Sequence, residues 1–239
     1  MADWLKQLLP NVFTYQARFV TSLQQTLEMM LRSAVLAFSI GLALGIVLTV
    51  TRRGGIRPNA VVYRLVDTLI NIFRSIPFII LLIFLIPFTR ALTGTAIGIK
   101  GALVPLVFGC VPFYTRQVEA ALAGVNPGKV EAARAMGSGT LGLIFRVYLH
   151  EAVPDLIRVT TITLISLIGL TTMAGAVGAG GIGSFAINYG QNQNYQDIVA
   201  VCVIILLVFV SALQLSGNAL ARRATNRALF RRARGGKKS

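Results

Sequence analysis

The side chains able to do chemistry are few in this chain and stand far apart. His150 is the single histidine, and neither a cysteine nor a second histidine lies at metal-ligand spacing from it. The two cysteines, Cys110 and Cys202, fall inside apolar runs, where a thiol behaves as a small hydrophobe. The glycines of GAVGAGGIG at 175–183 superficially resemble a dinucleotide-binding fingerprint, but no strand–helix–strand setting surrounds them. A G-x-x-x-x-G-K-[ST] phosphate loop is absent as well. These residues offer no catalytic set, no cofactor cradle and no metal centre, so the chain reads as a protein that is not itself an enzyme. His150 reads as an interfacial residue, with pH sensing as the alternative role.

What the chain does offer is apolar helix. Of its 239 residues, 55% are hydrophobic and 13% charged, and the mean hydropathy is +0.72, well above a soluble domain. The net charge of +15, from 23 Lys and Arg against 8 Asp and Glu, could serve nucleic acid, anionic lipid or membrane topology. Its placement favours topology. Arg222, Arg223, Arg227, Arg231, Arg232, Arg234, Lys237 and Lys238 follow directly on an apolar run, as in a juxtamembrane cytoplasmic tail, and no aromatic-interleaved basic motif points to nucleic acid. The division expected is a single membrane domain over 1–221 and a basic tail over 222–239. The opening MADWLKQLLPNVFTYQARF has no basic start, compact apolar stretch or small-residue cleavage site, so it reads as a retained amphipathic lead-in.

A helix needs about 20 mostly apolar residues to cross a bilayer, and five places supply them. The first is Ser33 to Thr51. The second is Ser75 to Thr89 joined to Val61–Arg74, read as one long helix. In that segment Val62, Leu65, Val66, Leu69 and Phe73 form an apolar stripe, and Arg64, Asp67, Asn71 and Arg74 a polar one that lies at the interface or packs on protein. The third is Ile97 to Ala123. The fourth runs from Asp155 to Ala174, where the glycine run must end it in a re-entrant or extended loop, because each glycine costs about 1 kcal/mol against alanine. The fifth is Asp197 to Leu220. Gly41 and Gly45 allow close helix approach, within one subunit or across a dimer seam. The fold class is therefore all-α and polytopic. With the basic tail in the cytoplasm, the loops 52–60 and 116–158 fall inside with most of the remaining Lys and Arg, which leaves the N-terminus outside.

Within the inner segment, NPGKVEAARAMG at 126–137 is punctuated as a short helix. Asn126 is the N-cap, Pro127 the first helical position and Gly137 the terminator. Glu131 favours the helix start and is within reach of Arg134 three residues on. So short a helix is marginal alone. Ala132, Ala133 and Ala135 give it a low-relief surface that a partner's groove could approach; a helix that merely caps the membrane domain fits the pattern equally well.

The phrase EAARAMG is similar to the E-A-A-x-x-x-G signature of the membrane subunits of bacterial ATP-binding-cassette importers, whose loop helix docks into the ATPase. The matching positions are Glu131, Ala132, Ala133 and Gly137, with Arg134 among them. Where that pattern continues with Leu-Pro, this chain has Leu149-His150, and Pro154 comes four residues later. The segments NIFRSIPFIILLIFLIPFT and MAGAVGAGGIGSFAINYG resemble the methionine-importer permeases of the same group, and the likeness runs over roughly 20–220. The resemblance implies a type I importer permease with a coupling helix at 126–137, working as a homodimer in the bacterial inner membrane. It implies two copies of an ATPase subunit that bind ATP and Mg, and an extracytoplasmic substrate-binding protein meeting the polar loop Asn188 to Asp197. The cargo implied is methionine, D- as well as L-.

In such a subunit the fourth span, TITLISLIGLTTMAGAVG, is where substrate contact is expected. It is uncharged and rich in hydroxyls and small residues, a wall that closes and opens with little desolvation. Ser166, Thr171 and Thr172 either line the path or bond helix to helix, and Met173 stands as a gate before the glycine break. Two alternatives remain. One is a related importer permease for other amino acids or quaternary amines, which calls for acidic or aromatic lining. The other is a stand-alone secondary transporter, which usually shows inverted repeats and ionisable residues at mid-depth.

Overall fold

The computed structural model describes the backbone of residues 8–235 and the side chains of residues 8–225. All regular structure among these residues is helical: α1 (Pro10–Thr14), α2 (Gln16–Thr51), α3 (Ala60–Ser75), α4 (Phe78–Phe84), α5 (Ile86–Thr93), α6 (Gly98–Ala123), α7 (Pro127–Ala135), α8 (Val153–Ala174), α9 (Gly181–Phe185) and α10 (Gln196–Gly235), with single turns at Thr140–Gly142 and Leu149–Glu151. Wider π-turns occupy Leu143–Tyr148, Gly175–Ala179 and Ala186–Gln191. Among the described residues four helices are long and apolar enough to cross a membrane, and a fifth span results if α3 and α4 count as one broken crossing.

Three spans differ from expectation. The first helix starts at Gln16, not Ser33, and at 36 residues is about 54 Å long. Its buried stripe continues upstream through Phe19, Ser22, Thr26, Met29 and Met30, and the charges there sit on other faces, where Glu28 and Arg32 pair at 2.6 Å. The second span is not one helix. It is broken at Ile76-Pro77, because a residue before proline is pushed out of the α region and Pro77 has no N–H to continue the ladder, and again at Leu85, just ahead of Pro87, which opens the next helix. The last helix passes residue 221 without interruption to Gly235, so no backbone boundary separates the basic tail from the fifth span. Arg222 and Arg223 lie on that helix; the side chains of Arg227, Arg231, Arg232, Arg234, Lys237 and Lys238 lie outside the described residues.

The chain forms two compact units. One combines the described residues up to Ala37 with Ser75–Cys110 and Leu164–Ala212. Its core is Phe19, Ile182, Phe185, Ile198 and Cys202, with the rings of Phe19 and Phe185 5.5 Å apart. The glycine run is pinned there: the Gly181 N–H donates to Gln25 Oε1 and the Ile182 N–H to Thr26 Oγ1, each at 2.8 Å. The other unit takes Phe38–Arg74, Val111–Thr163 and the described residues from Leu213. Ile56, Tyr114, Val118, Leu122, Ala133, Leu143 and Tyr148 belong to its core. Here the two readings of Gly41 and Gly45 resolve: a Cβ on Gly41 would stand 2.8 Å from Tyr114 Cδ1, and one on Gly45 2.5 Å from Val118 Cγ1. Both glycines serve packing inside the chain.

Candidate functional site

The helix α7 forms because its ends are specified locally. Asn126 Oδ1 accepts the Gly128 N–H at 2.9 Å, and Pro127 takes the first turn. At the other end Gly137 has φ +82°. The Ser138 N–H reaches the Ala133 carbonyl and the Gly137 N–H the Arg134 carbonyl, both at 3.0 Å. This is a Schellman closure, which needs the left-handed conformation that glycine adopts without strain.

The helix is also pinned to its own unit. Lys129 pairs with Glu151, and Arg134 Nη2 donates to the Ile56 carbonyl at 2.6 Å. The Glu131–Arg134 pair read from the sequence gives way to that contact, and Glu131 stays exposed. Ala133 turns inward, 8% exposed, among the core of the second unit. The low-relief outer surface therefore belongs to Ala132 and Ala135 alone, a correction to the three-alanine face. Three side chains were missed from sequence: Met136, Leu141 and Phe145 are 80%, 70% and 63% exposed. Leu143, Ile144, Val147 and Leu149 lie among or just after them, so the sequence held no signal for which apolar side chains of this segment face out. All three follow closely on the end of α7 in the chain. His150 is exposed on the short helix Leu149–Glu151.

On α8 the four residues singled out do not share a face. Ser166 and Met173 are exposed, Met173 by 52%, and Gly169 lies between them at helical spacing. Thr171 is 1% exposed, with its hydroxyl bonded to the Ile168 carbonyl at 2.7 Å. It faces the core because it falls two residues from Met173, on the opposite side of the helix. Thr172 is half-buried and bonds to the same carbonyl at 3.0 Å. The helix does end at Ala174, as the glycines require, and of the two courses expected beyond it the chain is not extended but turns back. Gly178, Gly180 and Gly181 take φ of +93°, +86° and +77° and fold the chain back. A Cβ on Gly183 would lie 2.1 Å from the Thr172 carbonyl oxygen, and one on Gly175 2.7 Å from the Ser184 nitrogen. Backbone meets backbone there, with Thr172 as one wall.

Of the polar stripe of α3, Asp67 and Asn71 pack on protein, while Arg64 and Arg74 stay exposed. Arg116 joins Asp67, Asn71 and Glu119, the last at 2.8 Å, while Leu65 and Leu69 point outward. Asp197 Oδ1 and Oδ2 accept the Asn11 side-chain and backbone N–H at 3.1 and 3.0 Å, tying the end of loop 188–197 to α1. No group of three or more His, Cys, Asp or Glu able to hold a metal occurs among the described residues.

The arrangement has matches among known proteins. Residues 40–227 fit the family model described as the binding-protein-dependent transport system inner membrane component. The chain is 41% identical over 208 residues to the probable D-methionine transport system permease protein MetI of Vibrio cholerae, covering 87% of this chain and 92% of that one. It is 49% identical over 144 residues to the D-methionine transport system permease protein MetI of Escherichia coli K12, covering 60% and 66%. A chain of the inward-facing MetNI methionine ABC transporter superposes with a TM-score of 0.86 at 43% identity, covering 88% of this chain and 98% of that one. An amino acid ABC transporter at 16% identity and TM-score 0.75 shares the fold. With its all-helical fold, its multiple apolar spans and this match over most of its length, the chain belongs to the family of inner-membrane components of binding-protein-dependent transport systems.

Proposed function

We propose that two copies of this chain form the translocation pathway of an ATP-driven importer for methionine, in both D- and L-forms. The observation that carries the reading is α7, capped at both ends, pinned by Lys129 and Arg134, and exposing Glu131, Ala132 and Ala135, with Met136, Leu141 and Phe145 exposed closely after it in the chain. A handle of this kind transmits force, because it is fixed to the permease on one side and offers a graspable face on the other. Each of two ATPase subunits, which bind ATP and Mg, grips one such helix from the cytosol. Their closure draws the two helices together and tips the spans from inward- to outward-facing. An extracytoplasmic binding protein delivers the cargo on the side of loop 188–197. The N-terminus is outside and the basic C-terminal end is in the cytoplasm, in keeping with the arginines of loop 52–60.

Ser166, Gly169 and Met173 form the pathway face of α8, with Met173 as the gate and Thr171 and Thr172 holding the helix from behind. The exposure of the first three, and the back-bonding of the two threonines, support that division. Methionine as cargo rests on the likeness to the methionine permeases. The test is uptake of labelled methionine by proteoliposomes holding this chain with its co-purified ATPase. Uptake that needs ATP and is competed by D-methionine, but not by a quaternary amine, is the expected result. Transport by the chain without an ATPase, or preference for another amino acid, overturns the reading.

A further inference from the structure

Where the first long helix ends, the chain makes a tight turn whose arginines line a pocket. The turn is held by backbone bonds: Gly55 N–H to the Arg52 carbonyl at 2.9 Å, Arg57 N–H to Val50 at 3.1 Å and Asn59 N–H to Thr51 at 3.0 Å. Gly54 supplies the left-handed residue, φ +78°, and Asn59 Oδ1 caps α3 by accepting from Val61 and Val62 N–H at 3.1 Å. Between turn and helix lies a cleft of about 620 Å³ lined by Thr51, Arg52, Arg53, Tyr63 and Arg64 among others. Immediately beside it, sharing Ala60 and Arg64, runs a groove of about 430 Å³ along Val61, Leu65, Thr68 and Leu69. Val61, Leu65 and Leu69 are 77%, 64% and 50% exposed.

We propose that this paired cleft and groove hold an anionic diacyl phospholipid, its phosphate among Arg52, Arg53 and Arg64 and an acyl chain along Val61, Leu65 and Leu69. The charge is available for a ligand: no carboxylate lines the cleft, and Asp67 of α3 and Glu119 of α6 are both taken by Arg116. The Tyr63 hydroxyl donates to Glu119 at 3.4 Å, which further screens that carboxylate from the arginines. A cationic pocket continuous with an apolar groove selects an amphiphile over a free anion, since only an amphiphile satisfies both surfaces at once. Position agrees, because the cleft opens at the end of a helix long and apolar enough to span the bilayer. The turn also accepts Arg134 at the Ile56 carbonyl, so an occupied site braces the segment that supports α7.

The test is native mass spectrometry of the purified complex, loaded with phosphatidylglycerol or with phosphatidylcholine of the same chains. Wild type is expected to retain phosphatidylglycerol in preference, and millimolar inorganic phosphate to leave it bound. R53A/R64A should weaken that retention about 30-fold, from two lost cation contacts near the membrane surface. R57A removes one charge from the same turn but not from the cleft, and should retain the lipid. R53Q/R64Q gives the same reading if the alanine variant does not assemble. Equal retention of both lipids, displacement by phosphate, full retention by the double variants, or equal loss in R57A would each overturn the proposal.

Discussion

The neighbours Ala132 and Ala133 separate coupling from folding. Ala132 is exposed and Ala133 is 8% exposed within the core that contains Ile56, Leu143 and Tyr148. An arginine at 132 extends into solvent in the isolated permease, so Ala132→Arg should change its stability by no more than ~0.5 kcal/mol. In a docked groove the same side chain must displace partner atoms and bury a charge, costing on the order of 3 kcal/mol, or roughly 100-fold in retention of the ATPase. Ala133→Leu has the opposite signature: three added carbons in a filled core cost ~1–3 kcal/mol of stability. The assay measures three things on each variant: the thermal midpoint of the purified permease, the ATPase subunit it retains, and ATP-dependent uptake. Ala132→Arg should melt like wild type yet lose the ATPase and transport, and Ala133→Leu should melt early. Normal ATPase retention and uptake by Ala132→Arg would refute the docking surface. Equal melting loss in both variants would refute the assignment of which alanine faces the core.

Three other outcomes are expected. Gly183→Ala should cost more than ~2 kcal/mol of thermal stability, because its Cβ would meet the Thr172 carbonyl oxygen at 2.1 Å, whereas Gly169→Ala, with nothing within 4 Å, should be nearly neutral. Arg116→Ala should destabilise by about 2 kcal/mol, since Asp67 and Glu119 lose their common partner at sites only 29% and 15% exposed. A thermal double-mutant cycle with Asp67→Asn should show coupling, and additivity would contradict the pairing. Met173→Ala should leave the melting midpoint unchanged while raising basal ATPase activity and substrate leak in the reconstituted complex; unchanged leak and ATPase would remove Met173 as gate.

Part of the candidate site was written locally. The N-cap at Asn126, the proline at 127 and the glycine at 137 act on backbone groups within a few residues, so the helix could be placed from its own sequence. The glycine run was legible as a break for the same reason, but its course was not. The close approach of Gly175 and Gly183 depends on chain turns that composition does not encode. The start of the first long helix was hidden because Arg18, Glu28 and Arg32 interrupt the run and its buried stripe there uses Ser22 and Thr26, hydroxyl residues that a hydropathy criterion counts as polar. In the structure Thr26 bonds back to the Ser22 carbonyl and accepts from Ile182.

The sequence by itself determined the all-helical membrane class, the approximate spans and the capped helix at Pro127–Ala135, because hydropathy, periodicity and capping are properties of neighbouring residues. Tertiary structure alone decided that Ala133 and Thr171 face inward while Met136, Leu141, Phe145 and Met173 face out. It likewise sent Arg134 to Ile56 and seated Gly41 and Gly45 against Tyr114 and Val118. Burial is a relation between segments far apart in the chain, and a residue's type fixes what it costs to bury but not which segment arrives to bury it.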